Sequence, residues 1–295
     1  MTASNALTSP TGQCRWRGAV VLVGAAVLTA TAPVGVQATA VELAPHRAVY
    51  ELTLERSTAA SSISELAGRL VYEVKGSRCK GYGQVTRFVT RSENQKGAVT
   101  VMDLRSTFWE SGDASAMRFE TKLYQDERLT EHTTGEVRRS GPAELKISLQ
   151  RPRRGRLKFN GEYLFPLQHT ASLVQAALDG KAIFIADLYD GAEKGAKTYE
   201  TTAAIGPRRG PGDTDGLTPL KNASVLAGVP AWPVSLSYYG KKKARADSVP
   251  EYELSFLLYA NGVSRQLLLD YGSHAIRGVL SRLVMLPSEP CKPGN

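Results

Sequence analysis

The chain has 295 residues, 42% of them hydrophobic, with 37 basic against 28 acidic side chains, a net charge of +9 and three cysteines. No Cys-x-x-C pair supports thiol redox catalysis, and no nucleic-acid-binding module accompanies the moderate positive charge. Enzyme classes that announce themselves by a local motif are absent too: there is no G-x-S-x-G elbow, H-x-x-x-H pair or EF-hand loop.

The first forty residues read as a secretory signal. Arg15 and Arg17 precede an apolar run from Gly18 to Ala32, and Ala38-Thr39-Ala40 is an A-x-A cleavage signature. The run is shorter than the ~20 residues of a membrane span and ends at Pro33 and Gly35, so cleavage after Ala40 is expected rather than a retained anchor. Cys14 precedes the apolar run, unlike a lipidated cysteine, and leaves with the signal. Removal takes two arginines and no acidic residue, which lowers the charge from +9 to +7. Cys79 and Cys291 remain, and in an oxidising compartment one structural bridge between them is expected. Residues 41–295 show no composition break and are read as one domain.

From His46 onward, short segments dense in β-formers are separated by turn residues. Arg47 to Leu54, Ala67 to Lys75, Tyr82 to Arg91, Ala98 to Trp109, Ala116 to Tyr124, Leu129 to Arg139 and Glu144 to Gln150 are predicted strands. Met117, Phe119, Thr121 and Leu123 alternate with Arg118, Glu120 and Lys122, which predicts a sheet with one wet face. The segment Arg151 to Arg156 reads as a basic turn.

One helix interrupts this pattern. Leu167, Ala171, Val174 and Leu178 form a predicted apolar stripe, with Pro166 in the first turn and Gly180 at the C′ stop. Such a stripe must be buried, by lying on the sheet or plugging the mouth of its curve. Strands Ala182 to Tyr189 and Thr198 to Ile205 follow, around a turn at residues 190–195. Pro207 to Asn222 reads as an exposed loop, Trp232 to Tyr239 as a strand, and Lys241 to Lys243 as a polar turn. Glu251 to Tyr259, Val263 to Tyr271 and Ala275 to Met285 close the chain, with Asn261-Gly262 a hairpin signal. Twelve to fourteen strands exceed what an open flat sheet sustains, so a mainly β fold is expected: one large curved antiparallel sheet with the helix packed on or in it.

Few residues suggest chemistry. His46, His132, His169 and His274 stand apart, and a metal site would have to be assembled from distant strands. Asp187, Asp190 and Glu193 fit a DG turn, and Ser273 fits a turn better than a nucleophile. The clusters Arg138-Arg139, Arg151 to Arg156, Arg208-Arg209 and Lys241 to Lys243 fit solvated turns, or contacts with anionic envelope polymers. Phe108, Trp109, Phe119, Phe184, Tyr238, Phe256 and Tyr259 are read as core, with a lined groove as the functional alternative.

The segments Trp232-Pro-Val-Ser-Leu-Ser-Tyr-Tyr239, Tyr252-Glu-Leu-Ser-Phe-Leu-Leu-Tyr259, Asn261-Gly-Val-Ser-Arg265 and Leu267-Leu-Leu-Asp-Tyr-Gly272 resemble the EipB-like cell-envelope integrity family (DUF1849). So do Phe165-Pro-x-x-His169, Leu188-Tyr-Asp-Gly191 and the pair Cys79 and Cys291. The resemblance implies a Gram-negative periplasmic protein whose sheet spirals into an open, barrel-like shape closed by the Cys79–Cys291 disulfide. It implies no catalytic, cofactor or metal residue, hence a non-enzymatic binding or scaffold protein, with a lipid or lipoprotein carrier as the alternative and an envelope hydrolase a weaker one. Expected partners are envelope lipid or a periplasmic tetratricopeptide-repeat protein, not nucleic acid, and a monomer is expected.

Overall fold

Fifteen strands of one sheet, in the order β8-β7-β6-β5-β4-β3-β2-β1-β15-β14-β13-β12-β11-β10-β9, wrap the molecule's interior in this computed structural model. It describes residues 41–295 except 211, 212, 214–216, 219, 241–248, 289, 290 and 292–295. The expected signal and the Lys241 to Lys243 turn lie outside the described residues.

Two meanders make up the sheet. The first holds β1 (His46–Ser57), β2 (Ile63–Ser77), β3 (Gly81–Asn94), β4 (Val99–Glu110), β5 (Ala116–Gln125), β6 (Arg128–Arg139), β7 (Glu144–Arg151) and β8 (Gly155–Asn160). After β9 (Tyr163–Leu164) comes the helix α1 (Pro166–Leu178). The second meander holds β10 (Ile183–Leu188), β11 (Tyr199–Ile205), β12 (Ala231–Gly240), β13 (Tyr252–Tyr259), β14 (Ser264–Asp270) and β15 (His274–Met285). Antiparallel pairing of β1 with β15 joins the halves at the centre of the sheet, with His46 opposite Met285 and Ser57 opposite His274. The β9–β10 pair is parallel. β8 and β9 are the two strands beyond those predicted; β8 alternates half-buried Leu157 and Phe159 with exposed Arg156, Lys158 and Asn160, and β9 spans two residues.

Strand twist over so many strands curls the sheet around its apolar face, and α1 lies inside the curl. Leu173, Val174, Ala176 and Ala177 pack with Ala203, Ile205, Trp232, Val234, Leu236 and Leu258 of the second meander. At the other end Leu167 packs with Leu43, Val74 and Tyr82. Phe165 joins Phe108, Met117, Phe119, Val137 and Tyr189 of a third cluster. Leu178 departs from the expectation: it is 49% exposed. The stripe's direction is right, but its last position projects past the strands that cover it, and Ala176 and Ala177 make the contact instead.

The helix ends are set by separate devices. Gly180, at φ +72°, donates to Ala177 O while Lys181 donates to Ala176 O, the pattern of a Schellman stop. At the start, Pro166 fits the first turn, and Gln168 Oε1 reaches back to accept the Phe165 N–H. The carboxylate of Glu110, at the end of β4, supplies the main cap: Oε1 accepts the Leu167 N–H at 2.8 Å and Oε2 the Gln168 N–H at 3.1 Å. Two orphan donors of the first turn are thus satisfied from another part of the chain.

Phe119 lies over Gly135, its partner across the β5–β6 ladder, where an added Cβ would come within 2.6 Å of the ring. Cys79, in the turn between β2 and β3, is joined to Cys291 by a disulfide with Cα atoms 5.5 Å apart. The 207–222 segment is not wholly an exposed loop. Arg209 pairs with Ala231 through a β-bridge, and Leu220 is buried.

Candidate functional site

Between α1 and the concave face of the sheet lies a cavity of about 320 Å³, at the lower end of the range of roughly 300–1,000 Å³ for small-ligand sites. Period-two alternation builds its walls. From β12 and β13, Leu236 faces Leu254 and Tyr238 faces Tyr252 across the ladder, and all four line the cavity. The opposite wall is His46 and Tyr50 of β1, Leu70 and Tyr72 of β2, Gln84 of β3 and Phe108 of β4. Helix α1 contributes His169, Thr170 and Leu173. Lysine and arginine are absent from the lining.

The polar groups in this wall are uncharged or pushed toward it. His46 is 1% exposed. Its Nδ1 lies 2.7 Å from Ala44 O, and since a carbonyl only accepts, Nδ1 carries the proton. Burial lowers the His46 pKa against the opposing pull of that carbonyl, so the ring is neutral and Nε2 is a bare acceptor. Nε2 is buried without a hydrogen-bond partner. His169 is the other tautomer. Thr201 Oγ1 donates to Ala186 O at 2.8 Å and therefore accepts from His169 Nε2 at 2.9 Å, while burial depresses the His169 pKa to about 4. Burial raises the Asp190 carboxyl, partly offset by the Ala192 N–H that Oδ1 accepts. Burial also raises the Tyr50, Tyr72, Tyr238 and Tyr252 phenols, which stay protonated.

Tyr238 and Tyr252 stack at 4.3 Å. Tyr252 in turn meets Tyr271, 40% exposed, at 6.1 Å. A file of aromatic rings thus runs from the cavity wall to the surface. A second cavity of about 270 Å³, lined by Val41, Tyr82, Glu110, Leu167 and Gln175 among others, lies at the start of α1. Glu110 is 2% exposed, and burial raises its pKa to about 7 in spite of the two N–H groups it accepts.

The four histidines fall in separate settings, except that His46 and His169 share the cavity. His132 Nε2 meets Glu120 Oε1 at 2.9 Å, in an ion-pair group with Lys122. His274 Nδ1 lies 3.2 Å from Ser273 Oγ, yet the carboxylate nearby is engaged: both oxygens of Asp270 accept from Arg56 at 2.7 Å. Among the described residues no three His, Cys, Asp or Glu side chains group as a metal site. Of the acidic trio at the DG turn, Asp190 lines the cavity and Glu193 pairs with Lys197.

Arg139 is not a solvated turn residue: its guanidinium donates to Tyr163 O at 2.8 Å and sits over the Phe165 ring at 5.1 Å. Of the aromatic residues read as core, Phe108, Tyr238 and Phe256 line the cavity, whereas Trp109 carries Arg118 over its ring at 4.5 Å. Sequence reasoning placed Tyr72 with Leu70 and Val74 on one strand face and Tyr252 in a family segment, but marked neither as cavity lining, and did not pick out Gln84 or Glu110. Inward alternation on β2 and β13 marks Tyr72 and Tyr252, but nothing local marks Glu110.

Among the described residues no helix is long and apolar enough to cross a membrane. A family model described as EipB-like matches residues 37–287. The cell envelope integrity protein EipB of Brucella abortus is 34% identical over 258 residues, 87% of this chain and 89% of that protein. A crystal structure described as a β-barrel-like protein of domain of unknown function DUF1849, also from Brucella abortus, superposes with a TM-score of 0.76 at 32% identity. It covers 84% of this chain and 100% of the other. With its open fifteen-stranded sheet curled around one helix, the chain belongs to the EipB-like family.

Proposed function

We propose that this chain is a non-enzymatic periplasmic protein that supports cell-envelope integrity by binding an apolar ligand in the cavity between α1 and the sheet. The single observation carrying this reading is the cavity of about 320 Å³, walled mainly by aliphatic and aromatic side chains with a few polar groups and no lysine or arginine. The envelope role follows the relative's name, and the periplasmic address follows the signal read in residues 1–40. A binding role rather than a hydrolytic one is supported by how the imidazoles are used. His169 donates to a threonine whose own proton goes to a backbone carbonyl, and Asp270, the carboxylate near His274, is held by Arg56.

The test is complementation of a Gram-negative strain that lacks its own family member and is sensitised to detergent. The full chain should reach the periplasm and restore resistance, and Thr170→Leu with Ser264→Leu, which fill the cavity, should reach it and fail to restore. Rescue undiminished by filling would sink the cavity as the working site. It would turn attention to the outer surface, where one feature favours a scaffold. β10 pairs along its length with β11 but with β9 only at Asp187 and Leu188, and Ile183 and Ile185 are 53% and 63% exposed. An apolar strand edge of that kind suits an extended segment of a partner protein.

A further inference from the structure

We propose that the cavity takes a single aliphatic chain ending in an uncharged hydroxyl, and that this hydroxyl donates to His46 Nε2. The inference rests on the cavity being the working site. Its apolar wall calls for hydrocarbon, and the charge balance restricts the head. An anionic head would find no lysine or arginine in the lining. A cationic head would find one carboxyl, Asp190, whose burial favours its neutral form. A neutral polar end meets neither cost.

The direction of the hydrogen bond follows from the His46 tautomer. Nδ1–H is committed to Ala44 O at 2.7 Å, which leaves Nε2 with a lone pair to offer and no proton. That acceptor is buried in the cavity wall with no partner, a state that costs free energy until a donor arrives. Tyr72 stands beside it, ring centroids 5.8 Å apart. Its hydroxyl is held by one long contact, 3.4 Å to Gln84 Oε1. The assignment requires this half-buried ring to shift enough for a ligand hydroxyl to reach Nε2. A hydroxyl can then donate to it, whereas an ether or a carboxylate, which only accept, cannot.

Isothermal titration of mature, oxidised protein with decan-1-ol, decyl methyl ether and decanoate at pH 8 tests the assignment. The alcohol should bind one per chain, with the ether and decanoate at least tenfold weaker, as expected when a buried acceptor is left unpaired. His46→Phe, checked for a cooperative melt, should bind alcohol and ether alike. Thr170→Leu with Ser264→Leu, which leave His46 untouched, should weaken all three ligands alike. Equal affinity for alcohol and ether in the wild type overturns the donor rule and leaves the cavity reading standing, as does a preference that survives in His46→Phe. Absence of any uptake, in protein that restores detergent resistance and loses that ability when the cavity is filled, overturns the ligand class alone.

Discussion

Replacing Glu110 by glutamine should cost stability at pH 4, where the amide nitrogen cannot accept the N–H that Oε2 now accepts, and should win back about 3 kcal/mol relative to wild type by pH 8. Glu110 is 2% exposed, and the cap it makes on α1 accepts the N–H groups of Leu167 and Gln168. Burial raises its pKa from 4.5 to about 7. A carboxyl whose folded pKa lies above its unfolded one contributes stability that is fully present below pH 4.5 and lost as pH rises through 7. At about 1.4 kcal/mol per pH unit, the gap from 4.5 to about 7 is worth ~3 kcal/mol. His169 works in the opposite sense. Its folded pKa of about 4 lies below the ordinary 6.5, so its contribution is present above pH 6.5 and lost as pH falls toward 4. In the wild type these two contributions oppose each other between pH 4.5 and 6.5. The difference between wild type and Glu110→Gln removes His169 and every other common group. Stabilities from guanidinium unfolding of both proteins should shift relative to each other by about 3 kcal/mol between pH 4 and pH 8, in favour of the glutamine variant as pH rises. A difference independent of pH would mean that Glu110 is ionised throughout, and that the two N–H groups outweigh its burial.

Cys291→Ser should lower stability by up to ~5 kcal/mol in the chain-entropy account, because the bridge closes a separation of 212 residues; equal denaturation midpoints of oxidised and reduced protein would show the bridge to be idle. Leu178→Asp should leave the melting temperature close to wild type, since Leu178 is 49% exposed, whereas Leu173→Asp, at 2% exposed, should cost several kcal/mol and strip α1 from the sheet. Similar melts for the two would place the buried face wrongly. Gly135→Val should force Phe119 off the ladder and cost about 1–3 kcal/mol, seen as a lower chemical midpoint; a neutral result would mean the ring moves aside freely.

Much of the fold was legible because it is written in short-range patterns. Met117 and Phe119 alternate with Arg118 and Glu120 as a half-buried strand must, and Gly262 and Gly180 mark turns by their left-handed backbone. What eluded sequence reasoning depends on distance along the chain. β8 was missed because the basic turn read at Arg151 to Arg156 overlaps its start, and only Leu157 and Phe159 carry its alternation. Glu110 lies 57 residues from the N–H it caps, so no capping-box spacing announces it. The cavity is less legible still. Tyr72, Gln84 and Tyr252 look like ordinary strand residues until the sheet curls and α1 fills only part of the interior. His46 and His169, two histidines without a spacing relation, meet there for the same reason.

The seam between β1 and β15 has a consequence for the order in which the protein can be made. Every other antiparallel pair joins neighbours in sequence, so each meander can zip up from local hairpins. The central pair joins the first strand to the last, which raises the contact order of the whole sheet. The N-terminal meander must therefore wait with one edge of β1 open until the final strand has been made. That edge is the stretch most exposed to mispairing in the unfinished chain.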